Sequence, residues 1–323
     1  MSGAAPALPA VSPLGLGTAP LGGLYSAVSD EQAAGVLAAA WDAGIRFFDT
    51  APMYGNGSAE LRLGAFLRGK PRASYVLATK VGRLLRRPAR DEGEDAFYKG
   101  TPPERPVFDF TYDGVLRSFE ESLARLRLDR VDILHIHDPD AHGAEAMAGA
   151  YRALDRLRAQ GVIRGVGAGM NQSAMLARLA REGRFDCFLL AGRYTLLDQE
   201  GLAELLPLCI EKGIRIYAGG VYNSGILADP SPGAKFNYVD APPALIERAR
   251  RLDAVCRTYG VPLKAAAIQF PRAHPAVASV LTGARNIAEL SENVAMFTYP
   301  VPAALWQALR TEGLVDPAAP LPA

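Results

Sequence analysis

Residues 47–55 read FFDTAPMYG: two aromatics and an acid, then a loop broken by proline and glycine around a tyrosine. An apolar run ending abruptly on Asp49 has the form of a short internal strand with a polar tip, and Tyr54 lies just beyond it. Two later runs end the same way. YVLATKVG closes on Lys80, and DILHIHDPD closes on His137. Working outward, short apolar runs recur at 14–18, 46–49, 75–80, 132–137, 163–168, 187–190, 215–218 and 277–281. Between them lie stretches with helical spacing, among them 30–43, 113–126, 143–160, 172–181 and 245–259. This alternation predicts parallel strands joined by helical crossovers. Spread over 323 residues, it predicts an α/β fold of the closed (β/α)8 TIM barrel type. An open doubly wound sheet would carry GxGxxG after its first strand, and GLGTAPLGG does not supply that turn.

The expected organisation is a single barrel domain over 1–323, with a flexible N-terminal stretch 1–12. Two long connections, 82–112 and 219–243, follow strands and are expected to be active-site loops at the C-terminal face. Their aromatics (Phe97, Tyr98, Phe108, Phe110 and Tyr112; Phe236 and Tyr238) favour packing over free surface loops.

Bulk properties exclude several classes. A hydrophobic fraction of 49% is too high for disorder, and a net charge of +1 gives no pull toward nucleic acid or acidic membranes. The three cysteines are widely spaced and odd in number, against a disulfide framework or zinc cluster and for a reducing compartment. MSGAAPALPAVSPLGLG has no basic flank and makes a poor signal peptide, and no apolar run is long enough to span a bilayer. These readings point to a cytoplasmic protein with a small-molecule partner and no metal.

In a parallel barrel the strand ends meet at one mouth, so Asp49, Tyr54, Lys80 and His137 are brought together there. A tyrosine hydroxyl has an ordinary pKa near ~10, and a neighbouring ammonium is expected to lower it, with a carboxylate fixing that ammonium. A neutral histidine can orient a substrate oxygen, and hydride would pass to or from a bound nicotinamide. His135 is expected to point into the barrel wall or helix layer, or else to meet the substrate.

On FFDTAPMYG, ATKVG and DILHIHDP, and on GVGAGMN and LTGARNIAELSENV further along, the chain resembles the aldo-keto reductase family over nearly its full length. The resemblance implies Tyr54 as proton donor and acceptor, Lys80 and Asp49 tuning it, and His137 orienting the substrate. It implies NAD(P) lying across the mouth, with Gly17 and Thr18 at the first strand end and Asn171 on the carboxamide. Gly220, Val221, Tyr222, Asn223, Ser224 and Gly225 would wrap the pyrophosphate, and Gly283, Arg285, Glu289 and Asn293 would hold the adenosine end. Three positions depart from the family pattern: Met170 stands for a serine, Ala191 for a glutamine and Gly219 for a stacking aromatic. Glu289 would repel a 2′-phosphate and favours NAD, while Arg285 could bind that phosphate or stack on adenine.

Within the family, HIHDPD, LLAGRYTLLDQ, GGVYNSGIL, KFNYVDAP and VFDFTYDGVLRS resemble enzymes that oxidise a cyclic aldose hemiacetal of L-fucose, D-arabinose or L-galactose type to its lactone. Others of this kind act on pyridoxal. Asp138 and Arg193 are the expected sugar contacts, although Arg193 equally suits an internal ion pair and Asp138 a loop cap. Lys235 and Asn237 are further candidates. An NADPH-dependent aldehyde reductase and a non-catalytic nucleotide sensor are the rival readings.

Overall fold

The computed structural model describes residues 7–90 and 93–322. Its strands in chain order are β1 (Leu14–Gly17), β2 (Phe47–Asp49), β3 (Val76–Val81), β4 (Arg83–Arg86), β5 (Arg105–Phe108) and β6 (Ile133–His137). They continue as β7 (Gly165–Met170), β8 (Cys187–Ala191), β9 (Arg215–Gly219), β10 (Lys235–Phe236), β11 (Val239–Asp240) and β12 (Val277–Thr282). Eight of them close a parallel barrel in the order β1, β2, β3, β6, β7, β8, β9, β12. The (β/α)8 expectation is met.

Alternation along the strands sorts side chains between two cores. Phe47, Val76, Ala78, Ile133, Cys187, Leu189, Tyr217 and Leu281 point into the barrel, while Phe48, Leu77, Leu134, Val166, Phe188 and Ile216 pack outward against the helices. Strand entries are fastened by acids. Asp132 accepts from the Leu77 amide and Arg72, at 2.8 and 2.7 Å, and Asp186 accepts from the Val166 amide and Arg158, at 2.8 and 2.6 Å. Residues 1–6 of the stretch expected to be flexible lie outside the described residues. The rest is tied down: Leu8 and Val11 pack beneath the inner cluster, and Ser12 Oγ accepts from the Phe47 amide at 3.1 Å.

Two elements differ from expectation. The fifth barrel strand runs Gly165–Met170 rather than 163–168, because the ladder begins where the Gly165 amide reaches Asp132 O at 3.0 Å. Its glycines, poor strand formers, are needed for space: a Cβ on Gly167 would lie 2.3 Å from His135 Nδ1. The helix expected over 143–160 is interrupted by a π-helical turn at Ala146–Tyr151. The two long connections are not plain loops. Each carries an antiparallel hairpin, β4–β5 in the first and β10–β11 in the second.

Candidate active site

The loop bearing Tyr54 is pinned by backbone contact. A Cβ on Gly22 would meet the Gly55 amide nitrogen at 2.6 Å, and one on Gly55, at φ +61°, would meet Gly22 O at 2.2 Å. Only glycine at both positions lets the chain after β1 press on the loop after β2. Tyr54 is thereby held over the barrel axis, with its ring centroid 4.6 Å from Lys80 Nζ and 5.9 Å, edge to face, from the His137 ring.

Beneath it Lys80 is 1% exposed, donating to Asp49 Oδ2 at 2.6 Å and to Thr50 O at 2.9 Å. Burial pushes the Asp49 carboxyl up, and the Lys80 ammonium offsets only part of that rise. His137 is held well below its ordinary pKa, first by burial and then by the cations Arg83 and Lys80, so it is neutral. Tyr54 departs from the expectation. Its phenol is raised well above the usual tyrosine range, first by burial and then by Asp49 and the neighbouring Tyr238 and Asp138. Lys80 does not reverse this, because its charge is already matched by Asp49 at contact distance.

Two cavities meet at Tyr54. One, of about 170 Å³, is walled by Leu24, Met53, Phe97, Tyr98, Met170 and Tyr238, with Lys80, His137, Asp138 and Asn171 at its polar side. The other, of about 230 Å³, runs from Tyr54, Asp49 and Asn171 past Gly17, Gly192 and Gly219 to Gly220, Asn223, Ser224 and Gly283, under Tyr25, Asn237 and Tyr238. This groove suits an extended dinucleotide. Gly219 and Gly220 leave its floor without side chains, and Gly220 has φ +61°. Among the described residues no group of three metal-ligating side chains occurs, and no helix is long and apolar enough to cross a membrane.

Of the other expected cofactor residues, Thr18, Val221, Tyr222, Gly225, Arg285, Glu289 and Asn293 sit around the groove rather than on it. Thr18 is fully buried and donates to Asp49 O at 3.0 Å, and Val221 packs in the core at 1% exposure. Tyr222 Oη donates to Asn293 Oδ1 at 3.1 Å, and Asn293 donates to Gly283 O at 3.1 Å, tying together the two segments expected to hold the pyrophosphate and the adenosine end. Asn171 donates to Ala191 O at 3.1 Å. Gly225 has φ +105° with open space beside it. Arg285 and Glu289 form an ion pair at 2.6 Å, so neither is a free charge.

Of the expected sugar contacts, Asp138 lines the first cavity and Arg193 lines neither. Gly192, at φ +72°, turns the chain, and the Arg193 guanidinium goes to Asn237 Oδ1 at 3.1 Å, Asp198 at 3.5 Å and Glu200 at 3.7 Å. Lys235 pairs with Asp240 at 2.5 Å, away from the site. His135, expected in the wall or helix layer, points into the barrel below Lys80. It stands two residues from His137 and so shares its face, and burial and Lys80 lower its pKa to about 3. Sequence reading missed Arg83, which binds Asp138 at 2.7 Å. The glycine and arginine of VGRLLR, placed directly after a strand tip, were the signal of a turn that sets a basic residue at the mouth.

A chain with this arrangement has close counterparts. The model of the Aldo/keto reductase family matches residues 13–311. The chain is 45% identical to a pyridoxal 4-dehydrogenase of Microbacterium luteolum and 44% identical to a D-threo-aldose 1-dehydrogenase of a Pseudomonas species, each alignment covering 95% of both chains. The fold agrees with that of a solved aldo-keto reductase from Bacillus halodurans at a TM-score of 0.74 and 24% identity, over 96% of this chain and 94% of that one. The protein therefore belongs to the aldo/keto reductase family and is a nicotinamide-dependent oxidoreductase acting on CH–OH groups.

Proposed function

We propose that the protein oxidises the cyclic hemiacetal of an aldose, of L-fucose, D-arabinose or L-galactose type, at C1 to the lactone. The observation that carries this reading is the meeting of two cavities at Tyr54, with Asp138 standing at the rim of the smaller one. The 44% identity to a D-threo-aldose 1-dehydrogenase supports it.

In the proposed reaction the phenolate form of Tyr54 takes the proton of the anomeric hydroxyl and becomes the phenol, while the C1 hydrogen leaves with its electron pair and the C1–O bond becomes the lactone carbonyl. A bound oxidised nicotinamide supplies the hydride acceptor. His137, neutral, donates to the reacting oxygen and holds it in place, and Lys80, anchored by Asp49, lies under the phenol ring. Asp138 accepts hydrogen bonds from sugar hydroxyls.

For the cofactor, Gly17 and Thr18, Asn171, the run Gly220, Val221, Tyr222, Asn223, Ser224 and Gly225, and Gly283, Arg285, Glu289 and Asn293 are its proposed bed. NAD is favoured over NADP, because the Arg285 guanidinium is engaged by Glu289 and a 2′-phosphate would meet that carboxylate. The whole barrel serves as one catalytic unit, with 82–112 and 219–243 as its active-site loops.

The aromatic walls of the substrate cavity favour a second reading, oxidation of pyridoxal, to whose dehydrogenase the chain is 45% identical. Turnover of L-fucose, D-arabinose, L-galactose, pyridoxal and simple aldehydes with NAD⁺, NADP⁺ and their reduced forms separates the readings. The expected result is highest kcat/KM for an aldose with NAD⁺. In Tyr54→Phe that activity falls by roughly a thousandfold or more while cofactor binding persists; a fully active variant would sink the mechanism.

A further inference from the structure

We infer that Arg83 is a positioning and specificity-determining residue, which holds the Asp138 carboxylate ionised and in one place against the hydroxyl groups of the substrate. The inference rests on the proposed oxidation of a polyhydroxy ring at this site.

Arg83 opens β4 immediately after the tip of β3. Gly82, at φ +96°, makes the turn, and the Phe110 ring fills the space where a Cβ would be, 2.3 Å away. The Arg83 carbonyl accepts from Ser118 Oγ at 2.9 Å, fixing the residue to the helix Tyr112–Leu126. Its side chain is 12% exposed, and the guanidinium is gripped from three sides. It donates to Asp138 Oδ2 at 2.7 Å, contacts Met53 Sδ at 2.7 Å, and lies 4.5 Å over the Phe108 ring. A fork held this way loses little freedom on binding a carboxylate.

Asp138 is placed with equal care. It follows His137 directly, with φ +44°, and its amide donates to Gly169 O at 3.0 Å. Its side chain is 30% exposed, toward the substrate cavity. Among the described residues Arg83 engages only Oδ2, and no hydrogen bond uses Oδ1. The cavity that it lines also has Leu24, Met53 and Phe97 in its wall, which solvate a carboxylate poorly. Burial pushes its carboxyl up to about 6, while Arg83 and then Lys80 pull it down and Asp140 pushes it up. His137, whose Nε2 is 3.4 Å away, is neutral, and the phenols of Tyr54 and Tyr238 also face it.

Without Arg83 the balance tips toward the neutral acid. An ionised carboxylate accepts from two neighbouring hydroxyls, whereas the acid must spend a proton and loses one acceptor. A simple aldehyde has no hydroxyls to offer and gains nothing from the pair. Arg83 thus selects polyhydroxy substrates through Asp138 without touching them.

The test compares Arg83→Met, Arg83→Lys, Asp138→Asn and the double variant Arg83→Met/Asp138→Asn. Thermal unfolding of each full chain establishes that it is folded. Expected for Arg83→Met is an aldose KM raised roughly tenfold, with a smaller change in kcat and in the KM of a simple aldehyde. Arg83→Lys recovers part of the loss, and in the Asp138→Asn background Arg83→Met adds little. Independently of turnover, a carbon-13 NMR titration of the Asp138 carboxyl should show a midpoint near pH 6 that rises in Arg83→Met. Additive effects in the double variant, or an unshifted titration, overturn the inference. If no aldose or pyridoxal is turned over by the native enzyme, the proposed function fails, and the carboxyl titration alone decides whether Arg83 governs Asp138.

Discussion

At the scale of single residues, the contest that matters is between burial and charge at Tyr54. A cation 4.6 Å from a phenol ring would ordinarily favour the phenolate, but the same cation lies 2.6 Å from Asp49, whose carboxylate pushes the phenol the other way. Burial then decides, and the phenol stays protonated through the neutral range. The sign of the pH dependence follows. A base whose pKa lies above the working pH becomes tenfold more available per unit, so log kcat/KM for oxidation should climb with a slope of about one as pH rises from neutrality. Reduction, which needs the phenol, should not fall over that range. His137 is neutral well above its depressed pKa and contributes no break near pH 6.5, so a break near pH 6 belongs to Asp138 and should vanish in Asp138→Asn. Initial rates in both directions from pH 5 to 9 check this. An oxidation rate flat across that range would remove Tyr54 as the base.

At the scale of elements, strands whose tips carry the candidate site were legible because hydrophobic runs end there and polar residues begin. Asp49, Lys80 and His137 could be grouped by one argument, that parallel strands share a mouth. What sequence could not show was the direction of residues beyond a tip. Arg193 lies two residues past β8, and a left-handed Gly192 turns it from the cavity to the second hairpin. Arg83 lies two residues past β3, and a left-handed Gly82 turns it inward. Both glycines are left-handed, so the two fates are separated by the partners each guanidinium meets, Asp138 for Arg83 and Asn237, Asp198 and Glu200 for Arg193, and periodicity does not report them. The new position of Arg193 has a consequence for β10–β11, whose connecting residues Asn237 and Tyr238 roof the proposed cofactor groove. Those residues have φ of 50° and 68°, an unfavourable conformation for side-chain-bearing residues that needs outside support. Arg193 supplies it through Asn237 and over the Phe236 ring, and Ser224 Oγ accepts from the Tyr238 amide at 3.1 Å. Arg193→Ala should therefore speed limited proteolysis within 235–240 and raise the KM of the nicotinamide cofactor roughly threefold to tenfold, the worth of about one hydrogen bond. An unchanged cleavage rate would show that the hairpin stands without it.

At the scale of the whole molecule, the barrel is divided along its axis. Its upper interior is polar, with Lys80, Asp49, His135 and His137 stacked below the mouth, and its lower interior is apolar, with Phe47, Val76, Ile133, Cys187 and Tyr217 closed from beneath by Leu8 and Val11. The polar layer costs stability, because buried charges and unpaired ring nitrogens lose water; both His135 nitrogens lack a hydrogen-bond partner among the described residues. The apolar layer and the helix-facing core offset that cost. This separation lets the chemistry above tolerate changes below, which a barrel with a mixed interior would not allow. Ile133 tests it. The residue is fully buried on the same strand face as His135 and His137, but two and four positions deeper, and Leu8 and Gly165 pack beside it at the floor. Ile133→Val removes one methylene from a close-packed layer and should cost about 0.5 to 1.5 kcal/mol in urea unfolding. Turnover per folded molecule should stay at the native value, because Lys80 is positioned from above by Asp49 and Thr50 rather than from the floor. A loss of kcat in proportion to the loss of stability would instead mean that the floor sets the height of the histidine column, and that the two halves of the barrel are mechanically one.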